Sequence, residues 1–385
     1  MAPTFTKDLF TAEALRDPFP LYREIRDLGP VVKLEDPDVY ALARFEDVQR
    51  ALRTPEILVS GRGVGFNDIS NSRPPTIINS DGERHRRVRA PMAKQIMPAE
   101  LKQHRAQLRE CIAAQIALVR DGGWVDGVRA VAQHLPLTAI SHMVGLPEAG
   151  RDNMLRWASA AFNVVGPRLD NLATDLAVMA EARQYMLDVD PADLGQGSWA
   201  AYLFEAAQAG KLSLEEARGA LSGFIIPSLD TTIYAQGNLL YNLGAHRDQW
   251  DALKRNPDLI GNAVVESVRH SAVVRWFSRV AAKDYAVGEV IVPEGARVML
   301  MYGSANRDER RYAEPDRFDV TRSATDQLGW GTGPHMCAGM HLAKMEMEVL
   351  LEVLVEQVDW IEVGAPTIGV SQGLYGYDAL PLRLH

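Results

Sequence analysis

Residues Leu328 to Met345 read LGWGTGPHMCAGMHLAKM, and the rest of the chain makes most sense as built around them. Cys337 sits among Gly329, Gly331, Gly333 and Gly339, and a helical apolar pattern follows at once. Glycine opens backbone conformations closed to other residues and lets a large flat ligand come close to the main chain. A sulfur at a helix N-terminus is favoured as an anion by the free N–H groups and the helix dipole. The run therefore predicts a loop that holds a thiolate against something planar.

Three kinds of site fit that description. One is a buried structural cysteine in a glycine turn. A second is zinc, with His335 beside Cys337. Zinc asks for four ligands at repeated local spacing, and the only other cysteine, Cys111, has no such partner nearby. The third is a haem-thiolate loop. The run resembles the cysteine loop of cytochromes P-450, F-G-x-G-x-H-x-C-x-G. Gly331, Gly333, His335, Cys337 and Gly339 fill their places, and Trp330 stands where the pattern has Phe. The resemblance implies haem b (iron protoporphyrin IX), with Cys337 as the iron ligand and Trp330 packed near the sulfur.

The 385 residues are enough for a large core, and the formal charge of −9 with a pI near 5.6 argues against a nucleic-acid partner. Two distant cysteines point to a reducing compartment without a disulfide framework. The opening MAPTFTKDLF has no basic-then-apolar signal pattern, and no stretch approaches the roughly 18 apolar residues of a membrane span. The expectation is a soluble cytoplasmic protein.

Along the chain, helix is expected up to Gly29-Pro30, strands at Val31–Leu34 and Val39–Ala43, and helix at Phe45–Leu52. Gly61 to Asp81 reads as a long irregular stretch, of the kind that is usually functional. Mostly helical sequence follows to about Leu203. Ser213 and Glu216 form a capping-box pattern that starts a long helix expected to reach about Gly244. Strand-like segments recur at Val280–Tyr285, Glu289–Val292 and Arg297–Tyr302. The fold class is mainly α with small β-sheets. The resemblance implies the cytochrome P-450 fold, a triangular α-rich prism with a minor β region. It is expected as one domain over 1–385, its β-rich part mainly 30–60, 280–305 and 360–385.

Several constellations gain meaning beside the cysteine loop. Glu266 and Arg269, one helical turn apart, resemble the family's E-x-x-R pair, with Arg317 in EPDRF as the implied third member of a buried structural cluster. Taken alone, such a pair is common on exposed helix faces. His85 and Arg89 lie at i, i+4 in DGERHRRVR, which reads either as a solvated basic face or as a haem-propionate site. Arg279 and His335 would supply the remaining donors, and buried propionates without cations would be costly. Asp230 and Thr231 match the acid and alcohol of A-G-x-[DE]-T, where a hydroxyl beside a carboxylate relays protons to the oxygen side. The other reading is that they cap a second helix. Pro227-Ser228 replaces Ala-Gly there, and the proline is expected to open the helix's kink without ending the helix.

SGRGVGFND, FNVVGP, GSANRDERRY and the cysteine loop itself resemble the bacterial subfamily that oxidises para-substituted benzoic acids. That resemblance implies Arg73 and Thr76 as anchors for a substrate carboxylate, although Arg73 also reads as an exposed loop arginine. Phe162, Val165, Ser228 and Phe277 are the expected pocket lining. Val165, Gly223 and Ile226 stand where relatives have larger or hydroxylated side chains. The implied activity is monooxygenation of a small aromatic compound by O2, as hydroxylation or O-demethylation in aromatic catabolism. Electrons would come from a ferredoxin and its reductase. A peroxide-driven enzyme or isomerase, and a non-catalytic haem sensor, are the alternatives.

Overall fold

The computed structural model describes residues 1–66, 76–120 and 122–385. Arg73 lies outside them. Apolar spacing explains the helices. In Phe45–Leu52, Phe45, Val48, Ala51 and Leu52 turn to one buried face, while the acidic first turn complements the helix dipole.

The largest sheet has six strands in the order Thr4–Phe5, Val32–Leu34, Val39–Leu42, Arg297–Leu300, Phe277–Ala281, Leu58–Val59. Segments more than 200 residues apart in sequence thus meet edge to edge: Val39–Leu42 runs parallel to Arg297–Leu300, which pairs antiparallel with Phe277–Ala281. Smaller sheets are built from Val125–Asp126 with Ile361–Val363 and Pro381–Leu384, from Thr367–Ile368 with Tyr377–Ala379, and from Tyr285–Val287 with Val290–Val292.

A large helical core and two smaller cores, both against the six-stranded sheet, fill the interior. The Asp230–Ala245 helix runs through the helical core with buried residues on nearly every face. Its buried Asn side chains find partners for their N–H groups: Asn238 Nδ2 donates to the carbonyls of Ser271 and Tyr375 (3.2 and 3.1 Å), and Asn242 Nδ2 to the hydroxyls of Ser267 and Ser271 (3.3 and 3.2 Å). Gln236 reaches Glu346 on the Met340–Gln357 helix at 3.3 Å. Glu346 is fully buried, and burial pushes its carboxyl far above the usual range.

One expectation is corrected here. The capping box of Ser213 and Glu216 starts a helix, but that helix stops at Ile225 and a second begins at Asp230. Pro227 has no N–H for the carbonyl of Gly223 and its ring opposes that carbonyl. Hydroxyls then take over the freed carbonyls: Ser228 Oγ donates to Phe224 O, Thr231 Oγ1 to Pro227 O (2.6 Å), and Thr232 Oγ1 to Ser228 O (3.0 Å). With three side chains serving the break, the chain has no need to restore the helix across it.

Candidate functional site

The cysteine loop closes on itself through backbone hydrogen bonds: Gly331 N to Leu328 O (2.8 Å), Met336 N to Gly333 O (3.1 Å) and Cys337 N to Trp330 O (2.8 Å). Gly331 and Gly333 have φ of 67° and 73°, where a side chain would be strained. Space demands glycine as well. A Cβ on Gly333 would come within 2.4 Å of Leu52 O, and one on Gly329 within 2.7 Å of Val268 Cγ1. Trp330 packs against both the helical core and the Leu42–Leu328 core, so the loop lies on their seam.

The Met340–Gln357 helix starts just after Cys337, with Gly339 as N-cap. The Cys337 side chain is exposed, while the protein around its sulfur desolvates it enough to push its pKa up. The amides of Gly339 and Met340 and the Arg89 guanidinium pull the other way and do not offset burial. The helix-terminus effect expected from the sequence is present, but desolvation exceeds it.

Around the loop the candidate cations converge. His85 is buried on the Gly82–Gln95 helix, its ring centroid 4.2 Å from that of His335, and its Nε2 has no hydrogen-bond partner. Burial, His335 and Arg89 press its pKa down to about 4. His335 Nε2 stands 3.5 Å from Asp81 Oδ1, and Asp81 also accepts from the amides of Ser60 and Gly61. Those donors outweigh burial and hold Asp81 below the usual carboxylate range. Arg89 Nη2 donates to Met336 O. Arg279, on the Phe277–Ala281 strand, is 4% exposed; its hydrogen bond goes to Ser278 O (2.8 Å), and Tyr302 lies beside it. No ion pair joins it to a carboxylate among the described residues. A buried guanidinium so placed calls for an anion, as does the orphaned His85 nitrogen for a polar partner. The residues present therefore fit a dianionic planar group lying against the cysteine loop.

On the far side, Asp230 opens the second half of the broken helix and accepts from Ser159 Oγ at 2.8 Å. Burial drives its carboxyl up to about 6, with the Ser159 hydroxyl pulling weakly against it. Thr231 follows it with its hydroxyl on Pro227 O. Ser159 was not legible as a site residue: in WASAAFN it is one small residue on an apolar helix.

The structural cluster is partly rearranged from expectation. Arg269 grips Glu266 with two bonds of 2.7 and 2.9 Å, both residues fully buried. Arg269 also donates to the carbonyls of Asn306, Pro315 and Arg317 (2.9, 2.8 and 3.2 Å). The third member, and second guanidinium, is Arg322, 3.2 Å from Glu266 Oε1, and not Arg317. Arg317 gives the cluster only its carbonyl; its side chain is 55% exposed and faces Glu314 at 3.5 Å. The chain turns at Glu314 (φ 47°), and the amide of Asp319 then bonds Glu266 Oε1 at 3.0 Å. That crossing carries Arg322, three residues on, over the carboxylate.

The expected pocket residues are less closely gathered. Phe162 belongs to the helical core. Val165 packs on the Phe5–Met301 core and accepts from Phe66 N at 3.0 Å. Phe277 packs against Tyr302, ring centroids 6.2 Å apart. Thr76 is half-buried beside Ile77, whose Cδ1 would lie 3.3 Å from a Cβ on Gly223. Ser228 spends its hydroxyl on the helix break.

Comparison with known proteins decides the family. The chain is 33% identical over 384 residues to "Cytochrome p450 CYP199A2" of Rhodopseudomonas palustris, a match covering 98% of this chain and 93% of that protein. This chain belongs to the cytochrome P450 family. The cytochrome P450 family model matches residues 179–367, which include the broken helix and the cysteine loop. Linalool 8-monooxygenase of Pseudomonas putida is 27% identical over 375 residues, 92% of each chain. The structure of epothilone D-bound cytochrome P450epoK superposes with a TM-score of 0.89 at 24% identity, covering 99% of both chains. As a cytochrome P450 the protein is a monooxygenase whose cofactor is haem b. Among the described residues no helix is long and apolar enough to cross a membrane, and no cluster of three or more His, Cys, Asp or Glu offers a metal site of the zinc kind.

Proposed function

We propose that this cytochrome P450 inserts one oxygen atom from O2 into a small aromatic substrate, with electrons drawn from a ferredoxin and its reductase. The net reaction is R–H + O2 + 2 electrons + 2 protons giving R–OH + water. On a methoxy carbon the product hemiacetal collapses to a phenol and formaldehyde. The observation that carries the reading is the Cys337 thiol at a helix N-terminus, with the buried Arg279, which has no carboxylate partner among the described residues, and the unpartnered His85 nitrogen near it.

Haem bound there supplies oxygen activation, its thiolate ligand favouring O–O cleavage. The chain does the rest. Cys337 holds the iron, with Trp330 against the loop. His85, Arg89, Arg279 and His335 offer donors to the two propionates, so that those charges are not buried unpaired. Glu266, Arg269 and Arg322 tie the helix beneath the loop to the segment leading into it, which fixes the position of the sulfur. Asp230 holds the proton that the reaction consumes, and Thr231 Oγ1 lies one residue on to order water beside it. Thr76, Phe162, Val165, Ser228 and Phe277 are read as the lining of the substrate pocket. Arg73 is read as the partner of a substrate carboxylate, a bidentate match. The aromatic substrate class rests on the subfamily-like stretches of the sequence together with the 33% identity to the Rhodopseudomonas palustris protein.

A spectrum of the reduced, carbon-monoxide-bound protein tests the assignment of the sulfur. The thiolate-type shifted band is expected in the parent and its loss in Cys337→Ala; a band that persisted in the variant would remove Cys337 from the iron. Titration with benzoates, cinnamates and phenols then tests the substrate class. Benzoates that bound Arg73→Ala as tightly as the parent would overturn the carboxylate anchor.

A further inference from the structure

Asp230 does not stand against solid packing. It lines a cavity of about 180 Å³ with Val128, Gln133, Leu155, Ser159, Ile233, Tyr234, Tyr377 and Asp378. That is many times the room one water needs, and the lining is polar enough to hold several. A second cavity of about 360 Å³ lies under the segment that follows the Glu148–Asn163 helix, lined by Asn163, Arg168, Asn171, Asp175 and Gln372 among others. Tyr234 and Asp378 line both cavities. The Tyr234 hydroxyl donates to Asp378 Oδ1 at 2.8 Å, one turn along the helix from Asp230. The pair is the wall the two spaces share.

We propose that Asp230 is held ready by Ser159, its one side-chain partner among the described residues, and is reprotonated from solvent through these two adjoining cavities, which meet at the Tyr234–Asp378 pair. The inference rests on the reading of Asp230 as the proton donor given above. It adds where the replacement proton comes from and which residues position the acid.

The charge distribution supports it. The described lining of the cavity beside Asp230 holds no Lys, Arg or His, so no cation fixes Asp230 as a carboxylate. From the Glu148–Asn163 helix only Ser159 bonds it among the described residues; Gln133 faces the cavity as a neutral amide; from the Tyr377–Ala379 strand come Tyr377 and Asp378; its own helix adds Tyr234. Burial raises both Tyr234 and Tyr377 far above the ordinary phenol range, so both stay neutral. An acid so placed takes up and gives away a proton near neutral pH, whereas one locked in an ion pair would stay ionised. The accounting is simple. One proton leaves Asp230 Oδ towards the oxygen side, the Ser159 Oγ–H then donates to the ionised Oδ2, and one proton returns from cavity water. Ser159 and Tyr234 undergo no net change. They are positioning residues.

The test reads the carboxyl itself. In infrared difference spectra of the haem-bound protein against pH, the protonated Asp230 carbonyl stretch is identified by its loss in Asp230→Asn. Ser159→Ala removes the donor to the ionised form, so the midpoint should rise by roughly one to two pH units. Ser159→Thr should restore it. Tyr234→Phe should leave the midpoint within about half a unit and raise the solvent isotope effect on turnover at least twofold. An unchanged midpoint in Ser159→Ala, or an unchanged isotope effect in Tyr234→Phe, would overturn the proposal while leaving Asp230 as donor. If Asp230→Asn itself left the isotope effect and product yield per O2 unaltered, the donor reading would fall first.

Discussion

The two sides of the site are built by different means. On the cysteine side the backbone sets the geometry: two glycines at positive φ, amide–carbonyl bonds between residues three to seven apart, and a carbonyl of Leu52 where any side chain on Gly333 would go. On the oxygen side the backbone is interrupted for four residues and side chains finish the job, with Ser228, Thr231 and Thr232 bonding freed carbonyls and Ser159 reaching in from another helix. One side leaves almost no freedom of sequence; the other trades hydroxyls between elements. The contrast teaches that rigidity is placed beneath the sulfur, while polar adjustability is placed where protons and substrate must pass.

The comparison can be broken from its strong end. Replacing Cys337 by alanine should abolish the thiolate-type spectrum completely, whatever haem is retained. Arg269→Ala leaves Glu266 as a buried carboxylate with only Arg322 and the Asp319 amide as partners, and about 3–5 kcal/mol of stability should be lost in denaturant unfolding. Gly333→Ala should cost about 2–3 kcal/mol or eject haem, because strain at positive φ adds to the clash with Leu52 O. The oxygen side should respond to pH instead. Asp230 has its folded pKa raised from 3.8 to about 6, so its contribution to stability is fully present below pH 3.8 and is lost as pH rises through 6. Asp230→Asn should therefore gain on the parent by on the order of 2–3 kcal/mol between pH 4 and pH 7. A flat difference across that range would contradict a buried, unpaired acid. The smallest effect separates two arginines: Arg322→Ala should cost roughly 1–2 kcal/mol, and Arg317→Ala less than about 0.5.

This contrast also explains what could be read in the sequence. The cysteine loop was legible because its requirements are local: glycine, sulfur and helix start fall within one short run. The capping box at Ser213 was legible for the same reason, each partner lying within one turn of the other. The i, i+3 pair of Glu266 and Arg269 is local too, but its third member depends on where a distant turn crosses it, and there the motif pointed to Arg317 while the fold delivers Arg322. Pro227 announced a disturbance, but how far it spreads depends on the three hydroxyls that donate to the freed carbonyls. Ser159 and the Tyr234–Asp378 pair join residues 71 and 144 apart, and nothing in their neighbourhoods marks them.

Glu346 has a thermodynamic corollary. Burial raises its carboxyl far above the usual range, so the folded chain holds a proton there more tightly than the unfolded chain does. Melting the protein at neutral pH must discharge that proton into the surroundings. The measured heat of denaturation will consequently depend on the ionisation enthalpy of the buffer, phosphate or Tris, and Glu346→Gln should remove its share of that dependence.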